Sequence, residues 1–320
     1  MSLLNAMSQR SVIRSADEIM RRKLVTLSAT DDLFHSVGRL LSDNISGAPV
    51  VDQDRNYLGV LSEKCCITAL TDPVEVASEV GLHVVQVREF MVADLVTLDG
   101  EMDVFDAIDH LLSHRISGAP VTDKNGRFRG IFSEKTAMRV LSAALLDGLP
   151  GTKVESYMNV DQNRIINEGD LLIDVAHKFQ NTPYRRLPVL RNGQLIGQVS
   201  RRDVLRAEHR LAAEVIGRGN KPGVSERLRR AIEPKQVGDC MDTEALTTPP
   251  TTDLLGIAQV FLNSPYRRLP VVEHGKLLGM ISRRDLLQAA ASIMTPAKKR
   301  GQAETLYLSG LYASPPPSIG

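Results

Sequence analysis

The pattern of apolar and polar positions in residues 95–135 predicts a short strand, an amphipathic helix and then a β-hairpin. Five apolar residues recur at helical spacing and would share one face of the helix: Val104, Phe105, Ile108, Leu111 and Leu112. Two apolar runs, 119–121 and 128–132, follow and are separated by the turn sequence Asp-Lys-Asn-Gly. A second helix is predicted after the hairpin, so the order of elements is β-α-β-β-α.

This order of elements recurs four times along the chain. Each copy has a methionine, a proline 29 or 30 residues later, and then a glycine with a serine three positions after it. The four methionines are Met20, Met91, Met158 and Met241. A unit of about 55–60 residues buries too small a core to be stable alone, so we expect the units to pair.

The repeat divides the 320-residue chain into seven segments. They are an N-terminal segment (1–15), unit 1 (16–72), unit 2 (87–146), unit 3 (154–210), a linker (211–236), unit 4 (237–295) and a tail (296–320). The linker has the pattern of a helix extension, a loop and a short basic helix. The tail ends in prolines and small residues, which is typical of disorder.

The four units fall into two similar halves. Units 1 and 2 share Ile-Ser-Gly-Ala-Pro-Val and Ser-Glu-Lys, whereas units 3 and 4 share Pro-Tyr-Arg-Arg-Leu-Pro-Val and Ser-Arg-Arg-Asp. Residues 1–150 carry 15 Lys/Arg against 21 Asp/Glu, and residues 151–297 carry 21 against 16. The similarity predicts that units 1 and 2 form one pair and units 3 and 4 the other, with an acidic pair facing a basic one.

The recurring landmarks resemble the cystathionine-β-synthase (CBS) domain. The similar features are the methionine, a Val-Thr step, a helix, Ile-Ser-Gly-Ala-Pro-Val, and Gly-x-x-Ser, and they extend over residues 16–295. The resemblance implies an α/β (α+β) fold of four units in two pairs, called Bateman modules, that pack into a disc within one chain or between two chains. The overall plan is similar to gamma subunits of AMP-activated kinase and to stand-alone microbial four-CBS proteins.

The Ser-Arg-Arg-Asp motifs of units 3 and 4 provide the first candidate site residues. Ser200 and Ser282 stand where a strand gives way to a helix, and Asp203 and Asp285 follow in the first helical turn. An ionised aspartate accepts two hydrogen bonds, which suits a ribose diol. The resemblance implies that these aspartates hold the ribose of a nucleotide, while an ordinary helix cap remains the alternative.

Two arginine pairs just before the Leu-Pro-Val strand of units 3 and 4 are the second group of candidates. They are Arg185 with Arg186, and Arg267 with Arg268. Guanidinium groups match phosphate oxygens bidentately, and the resemblance implies that a basic pair at this place meets the phosphates of a nucleotide. The alternative is a solvated basic strand end.

The first half of the chain departs from this pattern. Cys65 and Thr136 stand where the aspartates are expected, so units 1 and 2 should bind adenosine ligands weakly or not at all. Glu63 and Glu134 begin the same helices and are expected to act as caps. Thr247 of unit 4 could contact the base or ribose, although threonine is also common in strands.

Other classes of function find little support in the sequence. His110 and His114 have the i, i+4 spacing of a metal pair but lie opposite the apolar stripe of their helix, which favours a solvated face and no metal. No motif of a nucleophilic or acid–base enzyme stands out. An aromatic content of 4% offers few platforms for nucleic-acid bases.

Targeting signals are also absent from the residue pattern. The N-terminus has no apolar signal core, no apolar run approaches the roughly 18 residues of a membrane span, and three cysteines suggest reduced thiols. We therefore expect a cytosolic protein.

These observations together predict a non-catalytic sensor. It would bind an adenine nucleotide of the AMP, ADP or ATP class in the second half, with or without Mg²⁺, and signal to a protein partner. Two alternatives stay open: a ligand-independent interaction scaffold, and a sensor of S-adenosylmethionine or cyclic di-AMP.

Overall fold

A computed structural model describes residues 14–146, 152–219 and 225–294. The predicted tail, nearly all of the N-terminal segment and the loop within the linker lie outside these ranges. The mixed α/β fold class and the β-α-β-β-α order are confirmed. The first strand of each unit is short, a two-residue strand in units 2 and 3 and a single bridge in units 1 and 4.

The first two units contain ten of the helices and strands. In unit 1 they are α1 (Ala16–Ile19), α2 (Leu33–Ser42), β1 (Gly47–Val51), β2 (Tyr57–Ser62) and α3 (Glu63–Glu75). In unit 2 they are β3 (Leu98–Asp99), α4 (Val104–Ser113), β4 (Gly118–Thr122), β5 (Phe128–Ser133) and α5 (Glu134–Leu146).

The second half repeats this order. In unit 3 the elements are β6 (Ile166–Asn167), α6 (Leu172–Asn181), β7 (Arg186–Arg191), β8 (Gln194–Ser200) and α7 (Arg201–Gly219). The linker contains the last residues of α7 and the short basic helix α8 (Glu226–Ala231). In unit 4 they are α9 (Val237–Cys240), α10 (Leu254–Asn263), β9 (Arg268–Glu273), β10 (Lys276–Ser282) and α11 (Arg283–Met294).

The hairpins of units 3 and 4 close through tight two-residue turns. Asn192 and Gly193 have φ of 53° and 79°, and His274 and Gly275 have φ of 50° and 77°. Two successive residues with positive φ form the type I′ turn, whose twist matches that of the flanking strands. The antiparallel register that follows places Arg186 opposite Ser200, and so joins the two candidate motifs of unit 3.

Each hairpin is extended by a segment from another unit. Arg21 of unit 1 pairs with Met280 in β10, and Asp242 of unit 4 pairs with Val60 in β2. Units 2 and 3 exchange the corresponding segments through the pairs Val92–Gln198 and Asn159–Ile131. Unit 1 therefore exchanges segments with unit 4, and unit 2 with unit 3.

The exchange explains the methionine and glycine landmarks of the repeat. A Cβ added to Gly279 would lie 2.5 Å from Sδ of Met20 and 2.9 Å from the carbonyl oxygen of Arg21. A Cβ at Gly197 would lie 2.9 Å from Sδ of Met91. Glycine is needed because the methionine segment of one unit crosses directly over the strand of another.

Helix packing joins the units in a second combination. One hydrophobic core is shared by units 1 and 3, where α3 packs against α6 and α7. The other is shared by units 2 and 4, where α5 packs against α10 and α11. Together with the exchanged segments, these contacts close a ring of four units in the order 1, 4, 2, 3.

The predicted pairing of unit 1 with unit 2 and of unit 3 with unit 4 is therefore wrong. Charge explains why dissimilar units meet at the helix starts. Glu63 of unit 1 lies 3.1 Å from Arg202 of unit 3, and Glu134 of unit 2 lies 3.6 Å from Arg284 of unit 4. Pairing similar units through this surface would oppose glutamate with glutamate and arginine with arginine, at a cost in free energy.

Candidate functional site

Both arginine pairs of the repeated motif line one central cavity of about 540 Å³, to which all four units contribute. Nine basic side chains line it: Arg21, Lys23, Arg115, Arg185, Arg186, Arg202, Arg267, Arg268 and Arg284. Three acidic side chains line it as well: Glu63, Glu134 and Asp285. A cleft with this excess of positive charge attracts anions.

Strand register and exchanged segments hold the second arginine of each pair in place; these two residues, Arg186 and Arg268, are called the inner arginines. Arg268 starts β9 and lies opposite Ser282, where β10 ends. Its Nη1 donates to the carbonyl oxygen of Gly47 at 3.4 Å, while Nη1 of Arg186 donates to Ser117 Oγ at 2.5 Å. Each arginine thus reaches the unit with which its own unit exchanges segments.

The first arginine of each pair, Arg185 or Arg267, is called the outer arginine, and the two differ in their partners. Arg267 Nη2 lies 3.4 Å from Glu134 Oε2. Arg185 has no carboxylate within 4 Å among the described residues, and its Nη2 reaches only the carbonyl oxygen of Pro265 at 3.5 Å. Burial, and then the nearby Arg267 and Arg201, hold the pKa of Arg185 well below the usual range. An anion beside Arg185 would relieve this repulsion.

The inner arginines experience the same field. Burial, and then the charge of Arg267, lower the pKa of Arg186 to about 10 and that of Arg268 to about 10. Both remain cationic near neutral pH. They are therefore available for charge-assisted hydrogen bonds to phosphate oxygens.

The two aspartates act as helix caps through Oδ2 and direct Oδ1 to other partners. Backbone N and Oγ of Ser200 donate to Asp203 Oδ2 at 2.8 and 2.6 Å, and Ser282 donates to Asp285 Oδ2 at 2.8 and 2.5 Å. Oδ1 of Asp285 accepts from Nε and Nη2 of Arg21 at 3.0 and 2.8 Å. Asp285 lines the central cavity, whereas Asp203 does not, although Ser200 does.

The structure does not bring Thr247 to this site. Thr247 is exposed and lines neither this cavity nor the smaller one beside Ser62. Because of the segment exchange, Leu24 and Val25 of unit 1 stand in its place beside Asp285. The sequence reasoning did not foresee the segment exchange, and it therefore also missed Arg21 and Lys23.

The corresponding positions of the first half provide no carboxylate. Ser62 Oγ lies 3.1 Å from Cys65 Sγ, and Ser133 Oγ lies 3.1 Å from Thr136 Oγ1. The glutamates predicted as caps instead form the ion pairs with arginines of units 3 and 4. This role had no signal in either half of the sequence by itself.

A metal site and a membrane-spanning helix each place requirements on the described residues. No group of three or more His, Cys, Asp or Glu side chains in these ranges is placed to hold a metal ion. The rings of His110 and His114 stack with centroids 4.0 Å apart. No helix in the same part of the chain has the length and apolar character to cross a membrane.

The chain is similar to several known proteins. An uncharacterized protein of Methanocaldococcus jannaschii, MJ1225, is 26% identical over 281 residues, which cover 87% of this chain and 91% of that protein. The solved structure of MJ1225, described as a proposed archaeal homologue of the AMP-activated kinase gamma subunit, superposes with a TM-score of 0.37 at 21% identity and covers 86% of this chain and 99% of that one. The structure of CBSX2 in complex with AMP gives a TM-score of 0.36 at 27% identity and covers 39% of this chain and 97% of that one.

Family membership follows from the match to a domain model. The model of the CBS domain matches residues 16–72, 87–143, 154–210 and 237–292, which together make up most of the chain. These stretches contain the methionine, glycine and serine landmarks of all four units. The chain belongs to the CBS-domain family.

Proposed function

We propose that the protein is a non-catalytic regulatory protein that binds an adenine nucleotide of the AMP, ADP or ATP class. The observation that carries the proposal is the convergence of both arginine pairs and Asp285 on one cavity of about 540 Å³. Ligand pockets commonly measure about 300–1,000 Å³, so a mononucleotide fits this volume.

The chemistry of the lining orients the nucleotide. The ribose hydroxyls would donate to Asp285, the phosphates would accept from Arg267 and Arg268, and the base would pack on Leu24 and Val25. Arg21 must then share or release Asp285 Oδ1. The side chain of Arg21 is 64% exposed and that of Asp285 only 9%, so Arg21 can turn into solvent while the ribose hydroxyls replace it as donors to the carboxylate.

The two aspartates are unequal in this proposal. Asp285 lines the cavity, whereas the Oδ1 atom of Asp203 lies 3.7 Å from Arg206 and outside it. The cleft at Asp285 is therefore the principal site. Asp203, with Ser200 and Arg186, forms the second candidate.

Regulation would follow from the position of the cavity between units. A ligand that contacts several units favours the arrangement in which those contacts are best, and so shifts the population of arrangements. The output would pass to a protein partner in the cytosol, a setting that fits the three free cysteines. Any Mg²⁺ would arrive on the phosphates of the nucleotide.

The ligand-independent scaffold is the second candidate. The pairs Arg21–Asp285, Arg202–Glu63 and Arg267–Glu134 favour it, because these arginines already have internal partners. Arg185 is evidence against it, because this arginine has no carboxylate partner among the described residues.

Thermal unfolding in the presence of ligands separates the candidates. AMP, ADP, ATP, S-adenosylmethionine and cyclic di-AMP would be added separately to the full-length protein. A ligand at one hundred times its dissociation constant stabilises the folded state by about 2.7 kcal/mol. Stabilisation by an adenine mononucleotide supports the proposal, stabilisation only by one of the other two ligands reassigns the site, and no shift with any ligand leaves the scaffold.

A further inference from the structure

A second cavity of about 460 Å³ lies beside the central one, between units 1, 3 and 4. Ser62 and Lys64 reach it from the end of β2 and the start of α3, and Arg201 reaches it from the start of α7. The exchanged segment of unit 4 contributes Asp242. It is the counterpart, in unit 1, of the cleft at Asp285.

The charge of this second cavity is strongly one-sided. Five basic side chains line it: Lys64, Arg185, Arg201, Arg267 and Arg268. Asp242 is the one acidic side chain among its described lining residues. Its Oδ1 already accepts from the backbone N of Glu244 at 3.0 Å.

Two of these guanidinium groups have unused hydrogen-bonding capacity. Arg201 is only 5% exposed; its Nη2 donates to the carbonyl oxygens of Phe179 and Thr182, while its Nε has no hydrogen-bond partner in the part of the chain that the structure describes. Arg185 has no carboxylate partner in the described ranges. The buried Nε of Arg201 calls for an acceptor, the half-buried guanidinium of Arg185 lies on the same wall, and a fork of guanidinium donors is suited to phosphate oxygens.

The second cavity lacks the group that would recognise a nucleoside. Cys65 occupies the place that Asp285 has in unit 4, and the hydroxyl of Ser62 is engaged with its sulfur at 3.1 Å. A ribose diol therefore finds no carboxylate here. Conversely, an inorganic anion has no hydroxyl group that could donate to Asp285. In the central cavity it would also be repelled by three carboxylates.

We propose that the second cavity is a separate binding site for a phosphate-class anion without a nucleoside, such as inorganic pyrophosphate. Arg185, Arg267 and Arg268 form a wall that lines both cavities. An anion in one cavity would accept hydrogen bonds from these guanidinium groups, which are then no longer free to bind an anion in the other cavity. The two sites are therefore antagonistic, a consequence that rests on the proposed nucleotide function, whereas the anion site itself does not.

Two matched lysines separate the sites experimentally. Lys64 lines only the second cavity and Lys23 only the central one, and both are exposed. Pyrophosphate and AMP would each be titrated calorimetrically into wild type, Lys64→Gln and Lys23→Gln. Loss of one charged contact weakens binding by about tenfold.

The expected result is a double dissociation. Lys64→Gln weakens pyrophosphate binding about tenfold and leaves AMP binding unchanged, Lys23→Gln does the reverse, and pyrophosphate raises the apparent Kd of AMP in wild type. Absence of pyrophosphate binding to wild type, or equal or greater loss in Lys23→Gln, overturns the proposal. If pyrophosphate behaves as expected but no nucleotide binds, the nucleotide function fails and the anion site stands.

Discussion

Replacing Glu208 with glutamine should change how the stability of the protein depends on pH. Glu208 lies on α7 with 0% exposure, and neither carboxyl oxygen has a hydrogen-bond partner within the described ranges. The hydroxyl of Thr71, on the helix α3 that packs against α7, donates its single proton to the carbonyl oxygen of Ile67 at 2.9 Å and accepts from Gln180. Burial therefore raises the pKa of Glu208 well above the usual glutamate value.

The sign and size of the effect follow from proton linkage. The unfolded chain releases the proton of Glu208 near pH 4.3, whereas the folded protein retains it to a higher pH. Between these two pH values the unfolded chain has released the proton and the folded protein has not, so stability falls as pH rises, by up to about 1.4 kcal/mol per pH unit. Between pH 5 and pH 7 wild type should therefore lose stability relative to Glu208→Gln.

Urea denaturation at pH 5, 6 and 7 measures this difference. Glu214→Gln is the matched control, because Glu214 lies exposed on the same helix. The stability gap between wild type and Glu208→Gln should widen with pH, whereas the gap to the control should stay constant. A gap that is independent of pH would show that Glu208 is ionised in the fold and would refute the reasoning.

Three further changes test the packing and the site. Gly279→Ala should lower the free energy of unfolding by about 1–3 kcal/mol in urea denaturation, because the added Cβ would meet Met20. Gly169→Ala, with open space around it, should change the free energy of unfolding little. Equal effects of the two substitutions would contradict the strand crossing. Glu134→Gln should cost about 2 kcal/mol because two arginines of unit 4 lose their counter-charge, and unchanged unfolding would show that the pair is solvated. Thr247→Ala should leave the Kd of AMP, measured by calorimetry, within about twofold of the wild-type value, since the side chain is exposed. A tenfold loss of affinity would show that Thr247 contacts the ligand.

Local structure was predictable from the sequence because its causes are local. Helical spacing of apolar residues identified α4, and the Asp-Lys-Asn-Gly turn identified the hairpin of unit 2. Strand register then brings Arg268 next to Ser282, a contact that follows from the hairpin alone. The fold class and the meeting of the arginine and serine motifs are therefore within reach of sequence reasoning.

The arrangement of the units was not predictable in this way. Similarity between units 1 and 2 says nothing about contact, and the pairing depends on how Glu63 and Arg202 complement each other across about 140 positions of sequence. Segment exchange then supplies Leu24 and Arg21, rather than Thr247, to the cleft at Asp285. Contacts between residues so far apart in sequence depend on how the four units pack, and they produce no periodic pattern in the sequence.

Calorimetric titration of AMP into wild type, Asp285→Asn and Asp203→Asn tests the central claim most directly. Both substitutions weaken the same type of helix cap, so the two variants are matched in their effect on the fold. The account predicts that wild type binds AMP, that Asp285→Asn loses at least about tenfold in affinity, and that Asp203→Asn loses much less. Equal affinity of Asp285→Asn and wild type would contradict it.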